Sequence, residues 1–169
     1  QIDHADRVPE IVSRAWTVAL NGRPGPVVVA LPEDMLVATS TAKPCHAITI
    51  PEPAPAAADI DALQDVLAGA TRPVVIVGGT RWQKDSARAI ERFAMANEIP
   101  VVAAFRFHDI IDNHCPAYAG DAGVGMNASM KTLLHAADLI IAVNIRFGEA
   151  TTDGLSLIHI SEPTRPLII

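Results

Sequence analysis

The sequence predicts an α/β fold in which helices cover both faces of a parallel β-sheet. Three short apolar runs lack the polar alternation of a half-exposed strand, and such runs are typical of strands that are buried on both faces. They lie at residues 73–77, 100–104 and 139–143. Helix-periodic segments separate them, and strands that alternate with helices form parallel sheets. We therefore expect residues 59–154 to fold as one Rossmann-like domain.

The first of these runs organises the rest of the domain. Four β-branched residues, Val74–Val77, follow Pro73 and lead directly into Gly78 and Gly79. Glycine allows a sharp turn and a close approach of the backbone to a neighbour or a ligand. Residues 83–98 follow with an apolar face at helical spacing. The pattern is that of a strand–turn–helix unit.

The other elements of this domain are predicted from caps and breakers. Asp59 is a suitable N-cap for a helix that runs to about Ala70. Residues 105–126 are rich in glycine, asparagine and aspartate, which predicts a loop. A short helix is predicted to begin near Asn127 or Ser129, before the last apolar run.

The first 37 residues are predicted to be the C-terminal remnant of a different, upstream domain. Residues 8–20 have helical periodicity, Gly22 stands where a C-cap glycine is expected, and residues 27–31 form an apolar run that predicts a buried strand. One helix and one strand cannot cover both faces of that strand. Residues 38–58, with prolines at 44, 51, 53 and 55, predict an extended linker.

Composition excludes several classes of partner. The chain has 169 residues, a formal net charge of −6, a pI of about 5.4 and no basic block, which argues against nucleic acid and anionic membranes. No apolar run is long enough to span a bilayer. The cysteines, Cys45 and Cys115, have no metal-ligand spacing and are compatible with a reducing compartment, which predicts a cytoplasmic protein.

The C-terminal segment, residues 155–169, is predicted to be non-native. Residues 155–165, Leu-Ser-Leu-Ile-His-Ile-Ser-Glu-Pro-Thr-Arg, resemble the conceptual translation of a transposase-type sequencing adapter. The alternative is a genuine strand, since Leu155, Leu157 and His159 alternate with other residues.

Candidate ligand-binding residues follow the predicted strands, because parallel α/β sheets bind ligands beyond the carboxyl ends of their strands. The backbone N–H groups of Gly78 and Gly79 can cradle a phosphate, or the two glycines form a simple tight turn. Arg146 can hold an anionic group or form a surface salt bridge. Both pairs of interpretations remain open.

Two further constellations do not predict a catalytic or metal site. His114 and Cys115 are adjacent in the chain, and adjacent loop residues seldom face each other as a nucleophile and its base. His108, Asp109 and Asp112 lack the repeated spacing of metal ligands.

Three segments together resemble the thiamine-diphosphate-dependent enzymes of the acetolactate synthase type. Residues 15–34 contain Gly22-Arg23-Pro24-Gly25-Pro26-Val27 and then Pro32-Glu33-Asp34, similar to the end of that family's pyrimidine-binding domain. Residues 70–79 resemble the start of its central domain. Residues 113–127, 137–140 and 146–152 resemble later parts of the central domain.

The resemblance implies a parent enzyme with pyrimidine-binding, central and pyrophosphate-binding domains, which uses thiamine diphosphate and Mg²⁺ to decarboxylate a 2-keto acid. The parent is expected to be a homodimer or homotetramer. The activating glutamate and the Gly-Asp-Gly metal motif of the family have no counterpart here, so no catalytic residue and no metal ligand is assigned and the chain itself is expected to be inactive.

The resemblance also implies an FAD site in the central domain, as in some members of the family. The corresponding positions are Gly78, Gly79, Gly123, Asn144, Arg146 and Phe147. FAD-binding members carry two acidic residues and an arginine after the Arg-Phe pair, whereas this chain has Gly148-Glu149-Ala150.

Two other hypotheses come from different functional classes. The first is a non-catalytic module in which Gly78, Gly79 and Arg146 hold FAD or ADP. The second is an NAD-dependent deacetylase-like domain, which shares the central fold but requires a catalytic histidine and an NAD loop that the sequence does not match.

Overall fold

The structure, a computed structural model, describes residues 1–46, 48–51 and 54–154 and the backbone of residues 167–168. The chain divides into two compact units, residues 1–54 and residues 55–169. The assignment of residues 1–37 to an upstream domain and of 38–58 to a linker stays a prediction.

The first unit is built on one amphipathic helix. A 3₁₀ turn, Ala5–Arg7, leads into α1 (Val8–Leu20), which has a proline in its first turn as helix starts favour. The predicted helix at 8–20 is thus confirmed. A short helix that the sequence did not predict, α2 (Glu33–Val37), follows later.

The prediction of a strand at residues 27–31 is wrong. No strand pairs with this segment among the described residues, and Val28 is 92% exposed. The Ile2 N–H donates a backbone hydrogen bond to the Ala30 carbonyl in this segment, at 3.0 Å. An apolar extended segment becomes a strand only when a neighbour completes the hydrogen-bond ladder.

The second unit is a parallel sheet with helices on both faces, as the sequence predicts. Its elements are α3 (Ala57–Gly69), β1 (Pro73–Val77), α4 (Lys84–Ala96), β2 (Val101–Ala104), β3 (Tyr118–Ala122), α5 (Ala128–Ala136), β4 (Leu139–Val143) and β5 (Leu167–Ile168). The strand order is β3-β2-β1-β4-β5, and every neighbouring pair is parallel.

The alternation of side chains along β1 divides the core between the two faces. Val75 and Val77 point to one face, where residues of α3 and α4 pack against them, including Leu63 and Phe93. Val74 and Ile76 point to the other face and pack with α5, whose contributions include Met130 and Leu134. Val74–Val77 are at most 1% exposed, which is why the sequence shows an unbroken apolar run.

Two predictions for the second unit, a loop and a helix N-cap, need correction. The loop predicted at 105–126 contains β3, an edge strand that pairs with β2 and whose residues alternate between partly buried and exposed. Asp59 lies at the third position of α3 rather than at its N-cap, and its carboxylate accepts a hydrogen bond from the Ala56 N–H at 3.2 Å. By contrast, Asn127 is the N-cap of α5, where its side chain accepts from the Met130 N–H at 2.8 Å.

Asp138 joins the amino ends of β1 and β4. Its carboxylate accepts from the Thr71 hydroxyl at 2.5 Å and from the backbone N–H groups of Thr71 and Arg72, both at 2.8 Å. The hydrogen bonds from Thr71 are the main cause that lowers the pKa of Asp138 to about 2. The Arg72 guanidinium adds a 2.6 Å hydrogen bond to the Ala136 carbonyl. This cluster fixes the register of the two central strands.

Within the described residues, no helix has both the length and the apolar character needed to cross a membrane. The predicted non-native tail lies outside the described residues except for Leu167–Ile168, which pair in parallel with β4.

Candidate functional site

The candidate site is the carboxyl edge of the sheet, meaning residues 78–81, 105–106, 123–125 and 144–147, which follow β1, β2, β3 and β4. The chain adds β2 and β3 on one side of β1 and then returns to place β4 on the other side. The strand order therefore reverses between β1 and β4. In open α/β sheets such a reversal leaves a crevice outside the strand ends, and ligands bind there.

Gly79 is required at this reversal by the packing of the chain itself. Its φ is +73°, in the left-handed region that favours glycine. A Cβ atom there would collide with the Asn144 carbonyl oxygen and would lie 3.0 Å from the Asn144 Cγ. The close approach that the two glycines predict is thus made to the β4 end.

Asn144 forms the other wall of the reversal. It also has a left-handed backbone, with φ at +53°, and asparagine tolerates that conformation better than most residues. Its side-chain Nδ2 donates a 2.7 Å hydrogen bond to the Thr80 carbonyl. The turns after β1 and β4 are therefore locked to each other.

Gly78 and Gly123 also serve the packing of the edge. Gly78 is buried, and a Cβ there would lie 3.0 Å from the Cβ of Ala104. Its carbonyl accepts from the Trp82 indole at 2.7 Å. A Cβ on Gly123 would lie 2.8 Å from the Phe105 ring. None of the three predicted glycines therefore needs a ligand to explain it.

Arg146 and Phe147 have different environments. Arg146 is exposed at the carboxyl edge, and its role in ligand binding stays a prediction. Phe147 is partly buried and packs against the core cluster that contains Ile76 and Leu134. Its placement anchors the segment that carries Arg146.

The segment after β4 is also held at its far end. The Lys131 ammonium group, on α5, contacts the Asp153 carboxylate at 2.8 Å. Thr152 is 1% exposed and its hydroxyl donates to the Gly148 carbonyl at 2.9 Å. Arg146 therefore lies on a short span that is fixed on both sides.

Two arginines at this edge were not among the candidate ligand-binding residues predicted from the sequence. Arg81 follows β1 and Arg106 follows β2, both are exposed, and both have left-handed backbones with φ of 70° and 71°. The Arg106 guanidinium carbon lies 5.1 Å from the centroid of the Phe105 ring. An arginine within four residues of the end of each apolar run, including Arg146, is the signal that could have found them.

The charged side chains in these edge segments are the cationic groups of Arg81, Arg106 and Arg146. Guanidinium groups bind carboxylate and phosphate oxygens. Across the described ranges, no group of three or more His, Cys, Asp or Glu side chains is arranged to hold a metal ion. Asp112, one of the metal-ligand candidates weighed above, instead caps its own loop by accepting from the His114 N–H at 2.9 Å.

Comparison with known proteins places the chain in a family. Residues 60–168 match the family described as "Thiamine pyrophosphate enzyme, central domain", and the chain belongs to that family. The match covers the whole parallel sheet, so the family resemblance seen in the sequence is confirmed.

Individual relatives are similar over nearly the whole chain. The chain is 27% identical to the acetolactate synthase isozyme 2 large subunit of Escherichia coli K12 over 92% of its own length, and 31% identical to the glyoxylate carboligase of E. coli O157:H7 over 97%. It spans only 28% and 30% of the lengths of these two relatives.

A solved structure agrees with the fold. The X-ray structure of a protein assigned as a thiamin diphosphate-dependent enzyme, isolated from Mycobacterium smegmatis, superposes with a TM-score of 0.66 at 25% identity. The superposition covers 84% of this chain and 27% of that one.

Proposed function

We propose that this chain is the central part of a thiamine-diphosphate-dependent enzyme that decarboxylates a 2-keto acid and transfers the activated aldehyde to an acceptor. The observation that carries the proposal is the central-domain match across residues 60–168. The names of the relatives, acetolactate synthase and glyoxylate carboligase, support carboligation as the reaction type. Thiamine diphosphate, when bound in such an enzyme, would supply the carbanion chemistry, and the protein would bind and orient it.

The residues described here do not fit thiamine diphosphate with its Mg²⁺ ion. The diphosphate of such a cofactor is bound through a metal held by oxygen ligands, and the described residues offer no cluster of that kind. We therefore assign the chemistry to other domains of the parent enzyme. The role proposed for this chain is to supply the rigid sheet around which those domains are arranged.

A pair of assays tests this division of labour. The complete enzyme encoded by the uninterrupted gene is expected to release CO₂ from pyruvate or glyoxylate only when thiamine diphosphate and Mg²⁺ are present. The 169-residue chain is expected to release none under the same conditions. No turnover of any 2-keto acid by the complete enzyme would refute the activity, and turnover by the short chain would refute the division.

A second candidate function is binding of an anionic cofactor group, such as the diphosphate of FAD or ADP, at the carboxyl edge. The observation that favours it is the presence of Arg81, Arg106 and Arg146 after three neighbouring strands, two of which, β1 and β4, flank the topological reversal. Titration of the chain with ADP and with FAD tests it, with Arg146→Ala as the variant. Arg88→Ala, which removes an exposed arginine of α4, is the matched control. Equal binding by both variants would contradict the candidate.

The parent enzyme is further proposed to be a cytoplasmic homodimer or homotetramer. The support is the resemblance to the acetolactate synthase type and the compatibility of Cys45 and Cys115 with a reducing compartment. Sedimentation velocity of the complete enzyme tests the assembly, and a monomer at working concentration would contradict it.

A further inference from the structure

The start of the predicted linker is hydrogen-bonded to the first unit through one carboxylate. The Asp6 Oδ1 atom accepts from the Ser40 hydroxyl at 2.8 Å, from the Thr41 N–H at 2.8 Å and from the Ala42 N–H at 3.3 Å. These contacts join residues that are at least 34 positions apart in the sequence. We call residues 40–46 the strap.

The hydrogen bonds around Asp6 also organise the backbone turn at residues 40–42. The Ser40 hydroxyl, which donates to Asp6, also accepts from the Ala42 N–H at 3.1 Å. The hydrogen bond from Ser40, followed by that from the Thr41 backbone, lowers the pKa of Asp6 below its ordinary value. Donors that converge on an ionised carboxylate make stronger hydrogen bonds than neutral pairs do.

The strap also forms one wall of an apolar groove on the first unit. The groove has a volume of about 550 Å³ and lies between α1, which contributes Val12 and Trp16, and the strap, which contributes Pro44 and Cys45. Trp16 is 60% exposed although it lines this groove. The apolar contact with the strap therefore leaves most of Trp16 exposed, and the hydrogen bonds to Asp6 add polar contacts to the same strap.

We propose that Asp6 is a latch that docks the strap onto the start of the first unit through its hydrogen bonds to residues 40–42. The sequence predicts residues 38–58 to be a uniform proline-spaced linker. The latch makes residues 40–42 part of the first unit rather than of a uniform linker, and it is a conformational device that depends on no ligand.

Hydrogen exchange at single amides tests the latch directly. In the purified 169-residue chain, Asp6→Ala is expected to raise the exchange rates of the Thr41 and Ala42 amides by about tenfold or more, because each loses its charged acceptor. The amides of α1 and of β1 serve as internal references and are expected to keep their rates. Unchanged exchange at Thr41 and Ala42 would overturn the proposal.

Asp3→Asn is the matched control. Asp3 is a neighbouring carboxylate that pairs with Arg7 at 2.9 Å, and the exchange of the two strap amides is expected to be unaffected by its loss. If Asp3→Asn raises the exchange rates of the Thr41 and Ala42 amides as much as Asp6→Ala does, the effect comes from the general loss of negative charge. That result would overturn the proposal.

Ser40→Ala is a second test, which remains informative if Asp6→Ala also changes the exchange rates of the α1 amides. It removes one donor to Asp6 and the second acceptor of the Ala42 N–H while leaving the carboxylate in place. We expect faster exchange at Ala42, a smaller change at Thr41 and none in α1. Wild-type exchange at both amides in this variant would overturn the proposal.

Discussion

Replacement of Gly79 by alanine is expected to destabilise the second unit more than any other single glycine-to-alanine change at the carboxyl edge. Two costs add at this position. A non-glycine residue held at a φ of +73° costs about 1–3 kcal/mol. The new Cβ would overlap the Asn144 carbonyl oxygen, and relief of such crowding costs about another 1–3 kcal/mol.

The combined loss, about 2–6 kcal/mol, is a large fraction of the roughly 5–15 kcal/mol by which domains are stable. The Cβ would also lie 3.1 Å from the Asn144 Nδ2, so the hydrogen bond from that amide to Thr80 is expected to be lost. The change therefore weakens the lock between the turns after β1 and β4 as well as the fold.

Substitutions at two other glycines distinguish the cost of the left-handed backbone from the cost of crowding. Gly125 has a φ of +81° and open space within 4 Å of an added Cβ, so Gly125→Ala carries the backbone cost alone. Gly148 has open space and a φ outside the left-handed region, so Gly148→Ala should stay within about 0.5 kcal/mol of the wild type.

The assay is urea unfolding followed by the fluorescence of Trp82, whose indole donates to the Gly78 carbonyl at 2.7 Å. A Trp16→Phe background removes the signal of the first unit. We expect the free energy of unfolding to fall in the order Gly148→Ala, Gly125→Ala, Gly79→Ala. A Gly79→Ala protein that is no less stable than Gly125→Ala would refute the packing argument.

Three further predictions concern the core, a helix cap and the strand register. Leu134→Ala, at a side chain that is 2% exposed, should cost about 2–5 kcal/mol in urea unfolding, and a loss below 1 kcal/mol would show that α5 does not pack on the sheet. Asn127→Ala should cost about 1 kcal/mol, and Asn127→Asp should recover most of it, because the cap accepts from the Met130 N–H. The pKa of Asp138 is lowered to about 2 from 3.8, so its ionised form stabilises the fold above pH 3.8 and loses that effect as the pH falls through 2. The difference in melting temperature between wild type and Asp138→Asn should therefore be full at pH 6 and vanish near pH 2, and a difference that does not depend on pH would contradict this role.

The buried strands could be predicted from sequence because burial on both faces requires apolar residues at every position. Val74–Val77 and residues 139–143 are apolar throughout since each strand has a neighbour on both sides and helices on both faces. By contrast, β3 reads Tyr-Ala-Gly-Asp-Ala, which contains one residue with a strong strand preference. Its strand is created by pairing with β2, and that contact is not visible in its own residues.

The same distinction applies to residues 27–31 and to the carboxyl edge. The apolar run at 27–31 has the composition of a strand, but no strand pairs with it among the described residues. The prediction from composition alone was therefore wrong. At the edge, the two glycines and Arg146 could be predicted from their position after apolar runs. The left-handed backbones of Arg81 and Arg106 could not, because non-glycine residues adopt them only when tertiary contacts impose them.

The most direct test of the strand order is the pattern of backbone nuclear Overhauser contacts around β1 in solution. We expect parallel contacts on both sides, with Val75 opposite Val101 of β2 and opposite Ile141 of β4. Antiparallel contacts on either side, or a pairing of β1 with β3, would contradict the strand order and with it the reversal at which the candidate site lies.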